Sequence, residues 1–141
     1  IRLSTAELAQ TYVELTSTAL PACEKIRNVL NHVLLAIFRH RLLLTVILDY
    51  VLSVQRTGRA MRKPIGRHTI GLKSLLRRLL KEAIAAGEIS PVPVNTACNL
   101  LYGIMESAIL RITISENARL DEIRAMIDKT IDGLRVQPKT A

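Results

Sequence analysis

Apolar positions recur at three- and four-residue spacing along most of the chain, and the pattern predicts helix almost throughout, without strand alternation or internal repeat. Residues 4–19 carry Leu8, Tyr12, Leu15 and Ala19 on one face, behind Ser4 or Thr5 as cap and with Glu7 near the positive helix end. Pro21 then restarts the chain as a first-turn proline. Residues 22–38 place Ile26, Val29, Leu30, Val33, Leu34 and Ile37 on one side and Glu24, Lys25, Arg27, Asn28 and Asn31 on the other, the pattern of a surface helix. Residues 42–55 are apolar nearly all round, Asp49 and Gln55 excepted, which predicts the central helix of the domain. Between Thr57 and Gly71 the density of Gly58, Pro64 and Gly66 predicts a loop to about Gly66 and a broken start to the next helix. That helix turns Leu72, Leu75, Leu76, Leu79, Leu80 and Ala83 inward and Lys73, Arg77, Lys81 and Glu82 outward, and it closes at Gly87.

After a connection over residues 88–93, residues 94–115 form a helix that is apolar on more than one side. Cys98, Leu101, Met105, Ala108, Ile109 and Ile112 make one stripe; Leu100, Gly103, Ile104, Ser107, Arg111 and Ile114 make a second that is small and mixed in its middle. Such a helix must be covered from two directions, and one small domain supplies only one of them. The second stripe therefore predicts an interface and the first a core or pocket. A last helix over 120–135 has Leu120, Ile123, Ile127, Thr130, Ile131 and Leu134 as its seam, with Asp121 and Glu122 favourably placed in its first turn. The tail over 137–141 is expected to fray.

At 141 residues this is one domain, long enough to bury roughly 68–70% of its unfolded surface without staples. Cys23 and Cys98 show neither CxxC nor metal-type spacing and read as buried small apolar residues of a reducing, cytoplasmic compartment. The most apolar run, 42–48, is bracketed by Arg39, His40, Arg41 and Asp49, well short of the roughly 20 residues a bilayer demands, so no membrane partner is expected. No signal-peptide pattern opens the chain, and a start at Ile1 reads as a piece of a longer protein.

The net charge of +8 is concentrated: between Asp49 and Glu82 lie Arg56, Arg59, Arg62, Lys63, Arg67, Lys73, Arg77, Arg78 and Lys81, with no acidic residue among them. Such a run attracts phosphate or carboxylate ligands, adds sequence-independent affinity near DNA, or is simply a solvated face. Aromatics do not interleave with it, which argues against a base-stacking surface. Catalytic chemistry finds little footing. His32 and His40 lack a Glu or His at the offset of a helical metal site, His68 lies among the breakers, and Ser74 and Ser107 have no nearby His–acid constellation. The glycines match no phosphate loop, so neither an enzyme, a metal nor a cofactor is expected. Glu106, between the two apolar stripes, reads either as a hydrogen-bond partner for a ligand or Tyr102, or as an exposed or dimer-edge carboxylate.

Ala83, Gly87, Glu88, Ile89 and Pro91, followed by Leu100, Gly103, Ile104 and Ile109, resemble the C-terminal regulatory domain of the TetR family of transcriptional regulators, over roughly residues 4–136. The resemblance implies an all-α domain of about six helices over 1–136, in which 1–19 links to a helix-turn-helix domain missing from this chain. It implies further that the last two helices pair with their two-fold mates into a four-helix bundle, while the preceding helices enclose a ligand cavity. On this sequence the dimer interface would be Leu100, Gly103, Ile104, Ser107, Ile114, Ile127, Ile131 and Leu134, with Gly103 and Ser107 letting a partner helix approach. The cavity wall would be Tyr12, Phe38, Ile47, Tyr50, Val51, Cys98, Leu101, Tyr102, Met105 and Ile109. The basic run adds a condition: if Arg59, Arg62, Lys63 or Arg67 guards the entrance, anionic amphiphiles outcompete neutral analogues at low salt. The function so implied is effector sensing by a homodimer: a repressor released from DNA by a small apolar or amphiphilic ligand, with DNA contacted only through the missing domain. The other reading that the apolar faces allow is a helical adaptor for a protein partner, without a small ligand.

Overall fold

Helical periodicity becomes five α-helices in the computed structural model, which describes residues 13–14, 19–56, 63–115 and 117–136. They are α1 (Ala22–Arg39), α2 (Arg41–Arg56), α3 (Lys63–Ala85), α4 (Val94–Ile114) and α5 (Leu120–Leu134). The chain is all-α, as its spacing predicts. Of the helix expected over 4–19 only residues 13–14 are described, and they are helical; the tail over 137–141 lies outside the described residues.

α1 is the centre of the fold, not a surface helix: it packs against α2, α3, α4 and α5 alike. Its apolar side chains, Ile26, Val29, Leu30 and Leu34, are fully buried with Leu76, Leu79 and Leu80 of α3, Leu101 and Met105 of α4, and Ile127 and Ile131 of α5. The polar residues that suggested exposure are tied instead to neighbouring helices. Lys25 Nζ meets Glu82 Oε1 of α3 at 2.9 Å, and Arg27 reaches Asp128 and Asp132 of α5 at 3.1 and 3.4 Å. Each of these pairs contributes only about 0–1 kcal/mol, but together they fix which side of α1 meets α3 and which meets α5.

The expectation that α2 is the central helix is overturned. Leu42 and Val46 are 80% and 66% exposed, and among the described side chains of the helix it is Leu44 that packs on the core, with α1 and α4 as its neighbours. Apolar character all round a helix says that burial is favourable, not that the chain itself provides it. His40 alone separates α1 from α2, its N–H donating to the Ala36 carbonyl and its own carbonyl accepting from Leu44 N–H, so the two helices meet in a one-residue corner. At the other end of the breaker-rich segment, helix begins earlier than the loop reading to Gly66 allowed. α3 starts at Lys63, which places Pro64 in the first turn, where its missing N–H has no intrahelical partner to lose.

The α3–α4 connection is set by Gly87, whose φ of 75° is the left-handed conformation that glycine adopts without steric cost. Glu88 N–H donates to the Ala83 carbonyl at 3.0 Å and Gly87 N–H to Ile84 at 3.1 Å, the paired bonds of a Schellman ending. Glu88 is thereby turned toward the start of α1. Pro21 stands at the N-cap of that helix, one position ahead of the first turn, and offers no side-chain acceptor. The Glu88 carboxylate takes over the role, accepting from Ala22 N–H at 3.1 Å and Cys23 N–H at 3.2 Å.

Candidate dimerisation face and ligand-facing stripe

α4 divides along its length as its two stripes predict. Ala97, Cys98, Leu101, Met105, Ala108 and Ile112 are buried in the subunit. On another side Leu100, Leu110 and Ile114 are 47%, 46% and 73% exposed, Gly103 is exposed, and Ile104 and Ser107 are half-buried. These residues share a strip about a third of the helix circumference wide. At Gly103 a Cβ would meet nothing within 4 Å, so this stretch of the strip is open. By length and composition α4 could also cross a membrane, and only 33% of that apolar stretch is buried. Asn95, Asn99, Glu106 and Arg111 are all exposed on α4, an arrangement that suits a protein partner with a polar rim better than lipid.

The interface residues expected on α5 are corrected. Ile127 and Ile131 are 0% and 1% exposed, buried with Ile123 in the core of the single chain. An amphipathic helix has one apolar seam, and the subunit's own core takes it first. What α5 leaves outside that seam is Met126 and Thr130, both half-buried, and exposed Gly133, with Leu134 half-buried at the end. Sequence reading missed Leu110 as well, although it stands seven residues after Gly103 and four before Ile114, the spacing of the same strip.

The residues expected to face a ligand separate into three groups. Cys98, Leu101 and Met105 are fully buried; Tyr102, Ile109 and Phe38 are half-buried and packed against the core. The five on α4 share its inner side, and Phe38 belongs to the same core from α1. Tyr50 does not join them, because α2 lies at the edge of the fold and leaves its ring more than half exposed. Tyr12 and the side chains of Ile47 and Val51 lie outside the described residues.

Two polar arrangements border the inner stripe. The Lys73 ammonium sits 4.7 Å from the centroid of the Tyr102 ring, and the Cys98 thiol points at the Lys73 carbonyl, 3.7 Å away. A cation over an aromatic face is worth about 0.5–1 kcal/mol at exposed sites and more where water is excluded. Arg77 Nε donates to Asn95 Oδ1 at 3.1 Å, so two members of the basic run bind α3 to α4. Arg78 and Lys81 are exposed, whereas Arg59 and Arg62 and the side chains of Arg56, Lys63 and Arg67 lie outside the described residues. Glu106 is exposed, the second of its two expected states. Among the described residues no three His, Cys, Asp or Glu side chains gather as a metal site.

Chemically the inner stripe is an apolar surface of Cys, Met, Leu and Ile, with one tyrosine and one ammonium at its margin. Comparison with protein-family models, with curated proteins and with solved structures returns no match.

Proposed function

We propose that this chain is the effector-sensing, dimerising domain of a cytoplasmic, TetR-type transcriptional regulator, a non-enzymatic repressor in which a separate domain reads DNA. The observation that carries the reading is the two-sided α4: Cys98, Leu101 and Met105 buried on one side, Leu100, Leu110 and Ile114 exposed on the other. The outer strip serves a second copy of the chain, and the open surface over Gly103 lets the two helices approach. The inner stripe serves a small apolar or amphiphilic ligand. A helix that carries both places the ligand one helix diameter from the dimer axis. Occupancy then shifts the population between two subunit arrangements, and the ligand-favoured one no longer matches the spacing of two half-sites on DNA. The exposed Leu42 and Val46 favour the adaptor as a second reading, since that surface also suits a protein partner.

Met105→Trp tests the ligand arm. In a fully packed core the larger ring costs about 1–3 kcal/mol, whereas a ligand pocket absorbs it and loses affinity instead. The expected outcome is a urea midpoint close to wild type together with at least tenfold weaker binding of a fatty-acid probe in calorimetry. A variant that is strongly destabilised, from a wild type that takes up no probe, returns the stripe to ordinary core and leaves the adaptor standing.

A further inference from the structure

The α3–α4 connection and the short segment after α5 lie side by side over the first turn of α1. Ile89 and Arg135 pair as an isolated antiparallel bridge, with Ser90 N–H donating to the Leu134 carbonyl at 3.2 Å and Val136 N–H to the Glu88 carbonyl at 3.0 Å. From the same two segments, side chains reach down to α1. Glu88 caps Ala22 and Cys23, and Arg135 Nη2 donates to Glu24 Oε1 at 3.3 Å. We propose that these two segments form one clip over the N-terminal turn of α1, which opens and closes as a unit and independently of the rest of the core.

Each bond in the clip depends on the others. Val136 holds the Glu88 backbone while the Glu88 carboxylate holds α1, and Arg135, opposite Ile89 in the bridge, grips the same turn one residue further on. Losing any one of them leaves the remaining donors and acceptors displaced, which is the condition for cooperative local opening. Two apolar side chains of the connection, the buried Ile89 and the half-buried Val92, pack on the core. On one side of Ile89 Gly87 provides a backbone pivot; on the other Pro91 and Pro93 stiffen the chain, so the connection moves as a flap. Beneath it α1 has no cap of its own, because Pro21 supplies no side-chain acceptor.

Cys23 lies under the clip and reports on it. Its thiol is fully buried and held in its protonated form chiefly by that burial, with the Arg135 guanidinium and the Glu88 carboxylate against it. Cys98 is equally buried, between α3 and α4, where the clip does not reach. Opening of the clip exposes Cys23 alone, whereas global unfolding exposes both thiols.

The test is a timed iodoacetamide pulse on the full chain under native conditions, with the two cysteine peptides read separately by mass spectrometry. In Glu88→Gln and in Arg135→Leu, labelling of Cys23 is expected to rise at least tenfold over wild type while Cys98 stays unchanged. Parallel acceleration of both cysteines in both variants overturns the proposal. Native-state hydrogen exchange of the wild type gives a second measurement that does not depend on a variant folding. The amides of Ala22, Cys23, Ser90 and Val136 should share one opening constant; values spread over more than tenfold would show that the bonds break independently and that no clip exists.

Discussion

Ile131→Asp should unfold the subunit, with helical circular dichroism lost and no folded monomer left behind. Ile131 is 1% exposed and sits in the α5 seam with Ile123 and Ile127, facing the core built on α1. Removing that side chain forfeits about 1.5–3 kcal/mol of burial. Placing a carboxylate in the gap, with no cation provided, adds several kcal/mol of desolvation or forces the acid to stay protonated. The sum is comparable to the whole stability of an ordinary domain, about 5–15 kcal/mol. Urea denaturation and far-ultraviolet circular dichroism at low temperature check it. A well-folded, wild-type-like monomer would instead move Ile131 to an interface between subunits.

The paired change Leu110→Asp and Ile114→Asp, two like charges that cannot neutralise each other, should do the opposite: leave the fold intact and separate the subunits. Both side chains are largely exposed in the single chain, so the subunit loses little by their replacement. In a closed two-fold bundle each new charge occurs twice and must be desolvated against an apolar strip. A loss of at least 100-fold in dimer affinity, about 3 kcal/mol, is the expected result by sedimentation equilibrium. An intact dimer of this variant places the interface elsewhere, with the exposed face of α2 as the next surface to change.

The contrast between these substitutions shows what was legible in the chain and what was not. Helix bounds followed from spacing and punctuation: 22–38, 42–55, 94–115 and 120–135 were expected, and the helices run over Ala22–Arg39, Arg41–Arg56, Val94–Ile114 and Leu120–Leu134. The all-α class and the two-sided character of α4 came from the same periodicity. Periodicity shows which side of a helix is apolar, however, and not which neighbour that side meets. Hence the spacing points Ile127 and Ile131 toward an interface although their own subunit covers them, and α2 toward the centre although its outer edge faces water. Likewise the charges of α1 look solvated in the sequence because their partners, Glu82, Asp128 and Asp132, stand 57, 101 and 105 residues away. The same distance hides the role of Glu88. Its place after Gly87 marks the end of α3, but nothing local says that its carboxylate caps a helix that began 66 residues earlier.

Of the candidate ligand wall, the α4 stripe was readable because one helix carries it at regular spacing. The contribution of α2 was not, since a helix apolar all round gives no sign of which edge turns inward; Leu44, rather than Tyr50, packs on the core.

Native mass spectrometry of the full chain at micromolar concentration reports subunit number and retained small molecules in one spectrum. The expected species is a dimer that releases a small apolar or amphiphilic compound on collisional heating, at up to one per subunit. A bare monomer across that concentration range would contradict the proposed function.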